Sequence, residues 1–381
     1  MNGNPSIARM DVFVYRAPVE RPVVTSFGAM GDRPAVLLKL TASDGLEGWG
    51  EIWCNFPQVG AEHRARLAHS LLPPLLLGRE VPQPSLVFQS LEERFHVLAL
   101  QTGEHGPIAQ MLAGLDIALW DMAARRLETP LRRLIDPQAG NRIPVYASGI
   151  HAEEAEELVP KARAQGFDRF KIKVGFGPEK DARAAERAGT LLRDGERLML
   201  DANQKWSIEE ALEAAQLFAT LDPIWLEEPM PVDAPAQDWA ELAEASAIPL
   251  AGGENLTGFD GFGAALEAGH LSFVQPDVCK WGGVSGNAAI ARAALQSGFT
   301  YCPHYLGGGI GLAASAQLLA AIGGPGLLEV DVNPNPLRAL LGSPAPKVEG
   351  GYMTLSDAPG LGVAPDLDAA RPFEVMHLTA G

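Results

Sequence analysis

Cysteine is scarce: 381 residues hold three, Cys54, Cys279 and Cys302. They stand far apart with no metal or redox spacing, which excludes a disulfide framework and a cysteine metal cluster and predicts a reduced, cytoplasmic protein. Positive charge is also short. Against 47 Asp and Glu there are 30 Lys and Arg, giving a net charge of -17 and a sequence pI of about 4.9. Nucleic acid and anionic membranes both require a basic face, so neither is an expected partner. No apolar run approaches the ~18 residues that span a bilayer. No basic segment followed by an apolar one opens the chain, and low-complexity tracts and charge blocks are missing.

What is present is the composition of a globular protein, 47% hydrophobic and 20% charged. Its length suits a barrel-sized domain with a smaller companion. Apolar runs at Ile7 to Tyr15, Ala35 to Thr41 and Leu46 to Ile52 read as strands, the last two joined through the hairpin signal Ser43-Asp44-Gly45. Glu20 to Pro34 and Trp53 to Pro57 read as long, functional loops. Helical patterns follow at Ala61 to Leu76, Ser85 to Leu98 and Ala109 to Leu127. In the third, Met111, Leu115, Leu119 and Met122 form an apolar stripe most simply read as core.

From Val145 the rhythm changes to eight short apolar strands alternating with helical stretches, which predicts parallel βαβ units closed into a barrel. The fold class expected is α/β, a modified TIM barrel (β/α)7β capped by an N-terminal α+β domain. The cap would cover residues 1–138 and the barrel 139–345, with 346–381 packing back on the cap.

Polar residues stand at the predicted strand ends: Lys173, Asp201, Glu227, Glu254, Asp277, His304 and Glu329. The steps between them are 28, 26, 27, 23, 27 and 25 residues by subtraction, each one strand plus one helix. In such a barrel these ends share one mouth. Asp201, Glu227 and Glu254 on consecutive strands would repel unless a hard divalent cation neutralised them; Mg2+ is the first choice, with Mn2+ second, one ion per site. Lys171 and Lys173 alternate on one strand, so their ammonium groups share a face and each lowers the other's pKa. Asp277 beside His304 forms a dyad that fixes the imidazole tautomer. Glu329, if protonated, would donate to a substrate oxygen. A metal that chelates a carboxylate, flanked by two bases, is suited to removing the α-proton and stabilising the resulting enediolate.

These motifs, with Ser43-Asp44-Gly45-Leu46-Glu47-Gly48-Trp49-Gly50-Glu51, Asp116-Ile117-Ala118-Leu119-Trp120-Asp121 and Pro359-Gly360-Leu361-Gly362, resemble the mandelate racemase subgroup of the enolase superfamily. The resemblance implies Mg2+ on Asp201, Glu227 and Glu254, Lys173 as one acid/base tuned by Lys171, and the Asp277–His304 dyad as the other. It also implies that Glu329 binds the substrate carboxylate and that Asn203 lies beside the metal. Cap loops carrying Phe27, Trp53 and Asn55 would set the substrate, and Lys280 would support the adjoining loop. Lys173-Val174-Gly175-Phe176-Gly177, Gln275-Pro276-Asp277-Val278-Cys279 and Pro303-His304 are further like galactarolactone cycloisomerase and acid-sugar dehydratases. Tyr305-Leu306-Gly307-Gly308-Gly309 and Asp331-Val332-Asn333-Pro334-Asn335-Pro336 depart from that pattern.

The expected activity is a Mg2+-dependent lyase or isomerase of a small anionic hydroxy-carboxylate, with acid-sugar dehydration leading. Racemisation, epimerisation or lactone cycloisomerisation use the same parts. A non-catalytic binding barrel would lack a ligand or a base, and none is missing; a metal hydrolase would want more histidines at the rim. A homo-oligomer is also expected.

Overall fold

The computed structural model describes residues 5–25, 28–81 and 83–381; Phe27 lies outside them. The chain begins with β1 (Ile7–Thr25), β2 (Gly28–Ala42) and β3 (Glu47–Ile52). After α1 (Gly60–Leu71) and α2 (Pro73–Leu76) come α3 (Pro84–Thr102), α4 (His105–Arg126) and α5 (Leu131–Ile135). Gly48 and Gly50 of β3 lie against α4 so closely that a Cβ on Gly50 would stand 1.9 Å from the Gly114 carbonyl oxygen. Met111, Leu115, Leu119 and Met122 bury their stripe in the cap core, as the periodicity predicts. Ile117, on another side of α4, joins the core shared with the barrel.

The described part of the stretch Glu20 to Pro34, residues 20–25 and 28–34, is not the loop the sequence implied. It extends β1 and β2 into a long antiparallel ribbon, with Val23 opposite Met30 and Val24 opposite Ala29, interrupted by an irregularity between Pro18 and Val23. Pro18, Glu20, Arg21, Pro22 and Val24 are exposed. The outer ribbon is mostly exposed, with Met30 buried among exposed neighbours, and shows no period-2 alternation of apolar side chains, so its strands are silent in the pattern.

Strands β4 (Arg142–His151), β5 (Arg169–Lys173), β6 (Arg197–Asp201), β7 (Leu226–Glu227), β8 (Leu250–Gly252), β9 (Phe273–Val274), β10 (Thr300–Tyr301) and β11 (Leu328–Asp331) follow. They pair in parallel in the order β11-β4-β5-β6-β7-β8-β9-β10. The helices between them are α6 (Ala155–Ala164), α7 (Pro178–Leu191), α8 (Ile208–Ala219), α9 (Ala236–Ala245), α10 (Gly258–Ala268), α11 (Gly283–Gln296) and α12 (Gly309–Ile322). Eight strands and seven helices give the expected (β/α)7β succession. Among the described residues no ladder joins β10 to β11. There the Leu327 N–H donates to the Cys302 Sγ over 3.3 Å. A Cβ on Gly326 would meet the Tyr301 carbonyl oxygen at 1.8 Å.

After α13 (Pro336–Leu340) the tail divides. The hairpin of β12 (Lys347–Glu349) and β13 (Tyr352–Thr354) pairs with β4. Past α14 (Leu367–Ala370), β14 (Glu374–Ala380) joins the cap sheet beside β1, giving the order β14-β1-β2-β3. No described helix is long and apolar enough to cross a membrane.

Candidate active site

Parallel register sets Lys173 beside Asp201 and Asp201 beside Glu227, across β5, β6 and β7. Glu254, Asp277 and His304 stand just beyond the short strands β8, β9 and β10, and Glu329 lies within β11. A cavity of about 240 Å3 at this mouth is lined by Trp53 and Asn55 from the cap and by Lys173, Asn203, Glu254 and His304. Behind it, buried, are Lys171, Asp201, Glu227, Asp277 and Glu329.

Lys171 is fully buried, and its Nζ lies 2.5 Å from Glu227, 2.7 Å from Glu329 and 3.4 Å from Asp201. The second Glu227 oxygen accepts from the Trp225 indole N–H over 3.0 Å and from the Gln275 amide over 2.8 Å. Lys173 Nζ donates to Asp201 over 2.5 Å and to Asn203 over 2.8 Å. Asn203 sits at φ 45°, a left-handed position that its short amide tolerates, and its N–H donates to Asp201 over 2.9 Å.

The lysine pair differs from expectation. Burial lowers the Lys173 pKa and Lys171 pushes the same way, but Asp201, Glu227 and Glu254 outweigh both, so it is raised. Lys171, likewise disfavoured by burial, is held well above its ordinary value by Glu227 and Glu329. Both lysines are therefore charged here.

The dyad is formed, with His304 Nδ1 2.7 Å from Asp277. His304 Nε2 contacts Glu254 as well. Burial opposes a charged imidazole, yet Glu254 and Glu329 with the Asp277 bond raise its pKa well above the usual range. His304 in turn holds Glu254 well below its ordinary value despite burial. Nor is Glu329 the neutral donor expected of it. Burial favours its protonated form, but Lys171 and His304 win and lower its pKa. It accepts from the Ser148 hydroxyl and, over 3.0 Å, from the Tyr305 N–H.

Asp201, Glu227 and Glu254 supply an all-oxygen donor set on neighbouring strand ends, which fits a hard cation. Burial, together with Asp201 and Glu329, pushes the Glu227 carboxyl up to about 7 even beside Lys171. A divalent ion would relieve that crowding. In this arrangement the carboxylates turn to lysine and histidine instead, and among the described residues no three acidic, histidine or cysteine side chains gather tightly enough to hold a metal.

Several lining residues escaped the sequence reading. Asn255 donates to Glu254 over 3.0 Å and to both oxygens of the buried Glu228, and accepts from Lys280 over 2.7 Å. Lys280 also sits 5.2 Å from the centre of the Trp53 ring. Gln204, Phe56 and Leu306 complete the wall. Gln204 and Asn255 each follow a predicted site residue directly, the one signal available for them.

The chain matches two family models: the N-terminal domain of mandelate racemase / muconate lactonizing enzyme over residues 9–136, and the enolase C-terminal-domain-like family over 152–370. D-galactarolactone cycloisomerase from Agrobacterium fabrum is 32% identical over 360 residues, covering 90% of this chain and 92% of that protein. A solved mandelate racemase/muconate lactonizing enzyme from Bordetella bronchiseptica RB50 is 49% identical, with a TM-score of 0.89 over 97% of this chain and 99% of its own. A variant of L-talarate/galactarate dehydratase, solved with magnesium and L-glucarate, is 25% identical, with a TM-score of 0.87 over 99% of this chain and 94% of its own. The family thus includes enzymes that hold magnesium and small carboxylates. The parallel barrel, the cap over its mouth and these matches make the chain an enzyme, a lyase or isomerase, of the enolase superfamily in its mandelate racemase subgroup.

Proposed function

We propose that this enzyme removes the proton α to the carboxylate of an acid sugar in the presence of Mg2+ and expels a β-hydroxyl, a dehydration. The observation that carries this reading is that Lys173 and His304 both line one small cavity with Glu254, two proton carriers on well-separated strands. Asp201, Glu227 and Glu254 would hold one Mg2+, with Mn2+ a second option. That ion would bind the substrate carboxylate and offset the charge that grows on it as the α-proton leaves.

Lys173 takes the α-proton at Nζ, which requires its neutral form. Its proton is retained here by Asp201, so Lys173 becomes a base only when that carboxylate's charge is offset, with Lys171 helping to depress it. Asp277 anchors His304 at Nδ1, leaving Nε2 to hand a proton to the departing β-hydroxyl, which leaves as water. The enol left behind becomes a 2-keto acid. Glu329, ionised, accepts a hydrogen bond from a substrate hydroxyl next to the carboxylate rather than donating one. Asn203 steadies Lys173, and Trp53, Asn55 and Phe27 set the distal end of the substrate.

The 32% identity to a cycloisomerase over most of the chain favours a second reading, ring opening of an aldarolactone by the same proton carriers. We further read residues 1–138 as the cap and 139–345 as the catalytic barrel, and expect a cytoplasmic homo-oligomer.

Product analysis decides. The Mg2+-loaded protein is incubated with aldonates, aldarates and aldarolactones, and 2-keto-3-deoxy acids are sought by NMR. Keto-acid formation that disappears in His304→Asn supports dehydration; unchanged turnover in that variant contradicts the role given to His304.

A further inference from the structure

The glycine run after His304 has no part in the chemistry above, yet it is where the cap enters the barrel. Glu51, at the end of β3, is a buried carboxylate of the cap. Its Oε1 accepts from the Tyr305 hydroxyl over 2.9 Å and from the Gly308 N–H over 2.5 Å, and its Oε2 accepts from the Gly311 N–H over 2.9 Å. Gly308 and Gly311 stand at the head of α12, which has no side-chain N-cap of its own. Glu51 therefore caps that helix from another domain, supplying acceptors to N–H groups that lack partners at any helix start.

The glycine at position 308 follows from this contact. A Cβ on Gly308 would stand 2.7 Å from Glu51 Oε1 and 2.9 Å from Oε2. Gly308 lies at φ -86° and ψ -163°, extended backbone that alanine adopts freely, so it is the carboxylate and not the chain conformation that excludes a side chain. The same loop holds the site together: Tyr305 follows His304, its hydroxyl lies between Glu51 and the Gly308 carbonyl, 2.9 and 2.8 Å away, and its N–H holds Glu329. Asn55 donates to the Leu306 carbonyl over 2.7 Å, a second tie from the cap.

We propose that Glu51 is a positioning residue of the active site: by binding Tyr305, Gly308 and Gly311 it sets the loop that presents His304 and holds Glu329. This rests on the functional reading above, because it assigns Glu51 to the His304 half of that reaction. Glutamine is a demanding probe. Its amide NH2 cannot accept, so one of the donors now bonded to Glu51 loses its partner.

The experiment compares Glu51→Gln, Gly308→Ala, their double variant and Tyr305→Phe in the Mg2+-loaded full chain. Expected are falls in kcat of about 10- to 100-fold in Glu51→Gln and Gly308→Ala, the scale of a misplaced catalytic group. KM should change less than kcat because Glu329 is held by the same loop, Mg2+ affinity should stay near wild type, and the double variant should lose little more than either single one. Independently of turnover, the His304 side-chain 15N shifts should move in both single variants and in Tyr305→Phe. If these variants fold with wild-type kcat and His304 shifts, or lose only melting temperature, the proposal is overturned. If the wild type turns over no acid sugar, the functional reading fails separately, and the 15N shifts still decide the role of Glu51.

Discussion

At the scale of single residues, the site is a charge balance held by Lys171. One buried ammonium faces Glu227, Glu329 and Asp201, with the Tyr146 ring 5.5 Å away. Removing one partner of a buried charge network strands the others, at a cost of about 3–5 kcal/mol. Lys171→Met should therefore lower the metal-free urea midpoint markedly, and added Mg2+ should restore part of the loss, because a cation on Asp201 and Glu227 replaces the missing charge. No recovery with Mg2+ would contradict the assignment of those carboxylates as ligands. The identities of these residues were legible from spacing alone. Their charge states were not. The lysine pair raised an expectation of depressed pKa values, but register brings Asp201 against Lys173, and attraction to it exceeds repulsion between the lysines. Which effect wins depends on packing distance, which a linear pattern does not encode.

At the scale of elements, the inner parts of β1 and β2 and the barrel strands were readable and the outer ribbon of β1 and β2 was not, since its side chains are mostly exposed and show no apolar alternation. The strand ends after β8, β9 and β10 were placed within a few residues because each carries its polar group directly after an apolar run. Helix capping across domains left no sequence signal: α11 and α12 begin at glycines and take their acceptors from Asp116 and Glu51 in the cap. Asp116 accepts from the Ser285 N–H and hydroxyl, and burial pushes its carboxyl from 3.8 up to about 7. The unfolded chain thus releases this proton near pH 4 while the folded one keeps it to about pH 7. Asp116 therefore costs increasing stability as pH rises through that window, and none below it. In Asp116→Asn, urea midpoints measured from pH 4 to 7 should decline less with pH than in the wild type; equal slopes would contradict the shift. The seam between β10 and β11 gives a second test at this scale. Gly326→Ala forces a methyl onto the Tyr301 carbonyl and should cost about 1–3 kcal/mol in denaturant unfolding, as overpacking does.

At the scale of the molecule, cap and barrel act on one cavity: Trp53, Asn55 and Phe56 reach the same space as Lys173 and His304. On the barrel's flank, α12 and α6 border a larger cavity of about 840 Å3 where the short α13 and the tail stand in place of an eighth barrel helix. The family's succession of strands and helices explains why the chain rhythm predicted the barrel so directly, while the divided tail, half on β4 and half on β1, follows contacts remote in sequence. Ligand binding to the folded state alone raises stability by about 2.7 kcal/mol at one hundred times Kd. Mg2+ should raise the melting temperature, EDTA should reverse this, and Asp201→Asn should respond to neither; an equal response in that variant would remove Asp201 from the ligand set. The central claim is abstraction of an α-proton, and its most direct measurement is proton NMR of aldonates, aldarates, aldarolactones and α-hydroxy acids in D2O with the Mg2+-loaded protein. Loss of the α-proton signal from at least one acid sugar is expected, together with the product that follows. Binding of Mg2+ without exchange in any acid sugar would contradict the claim.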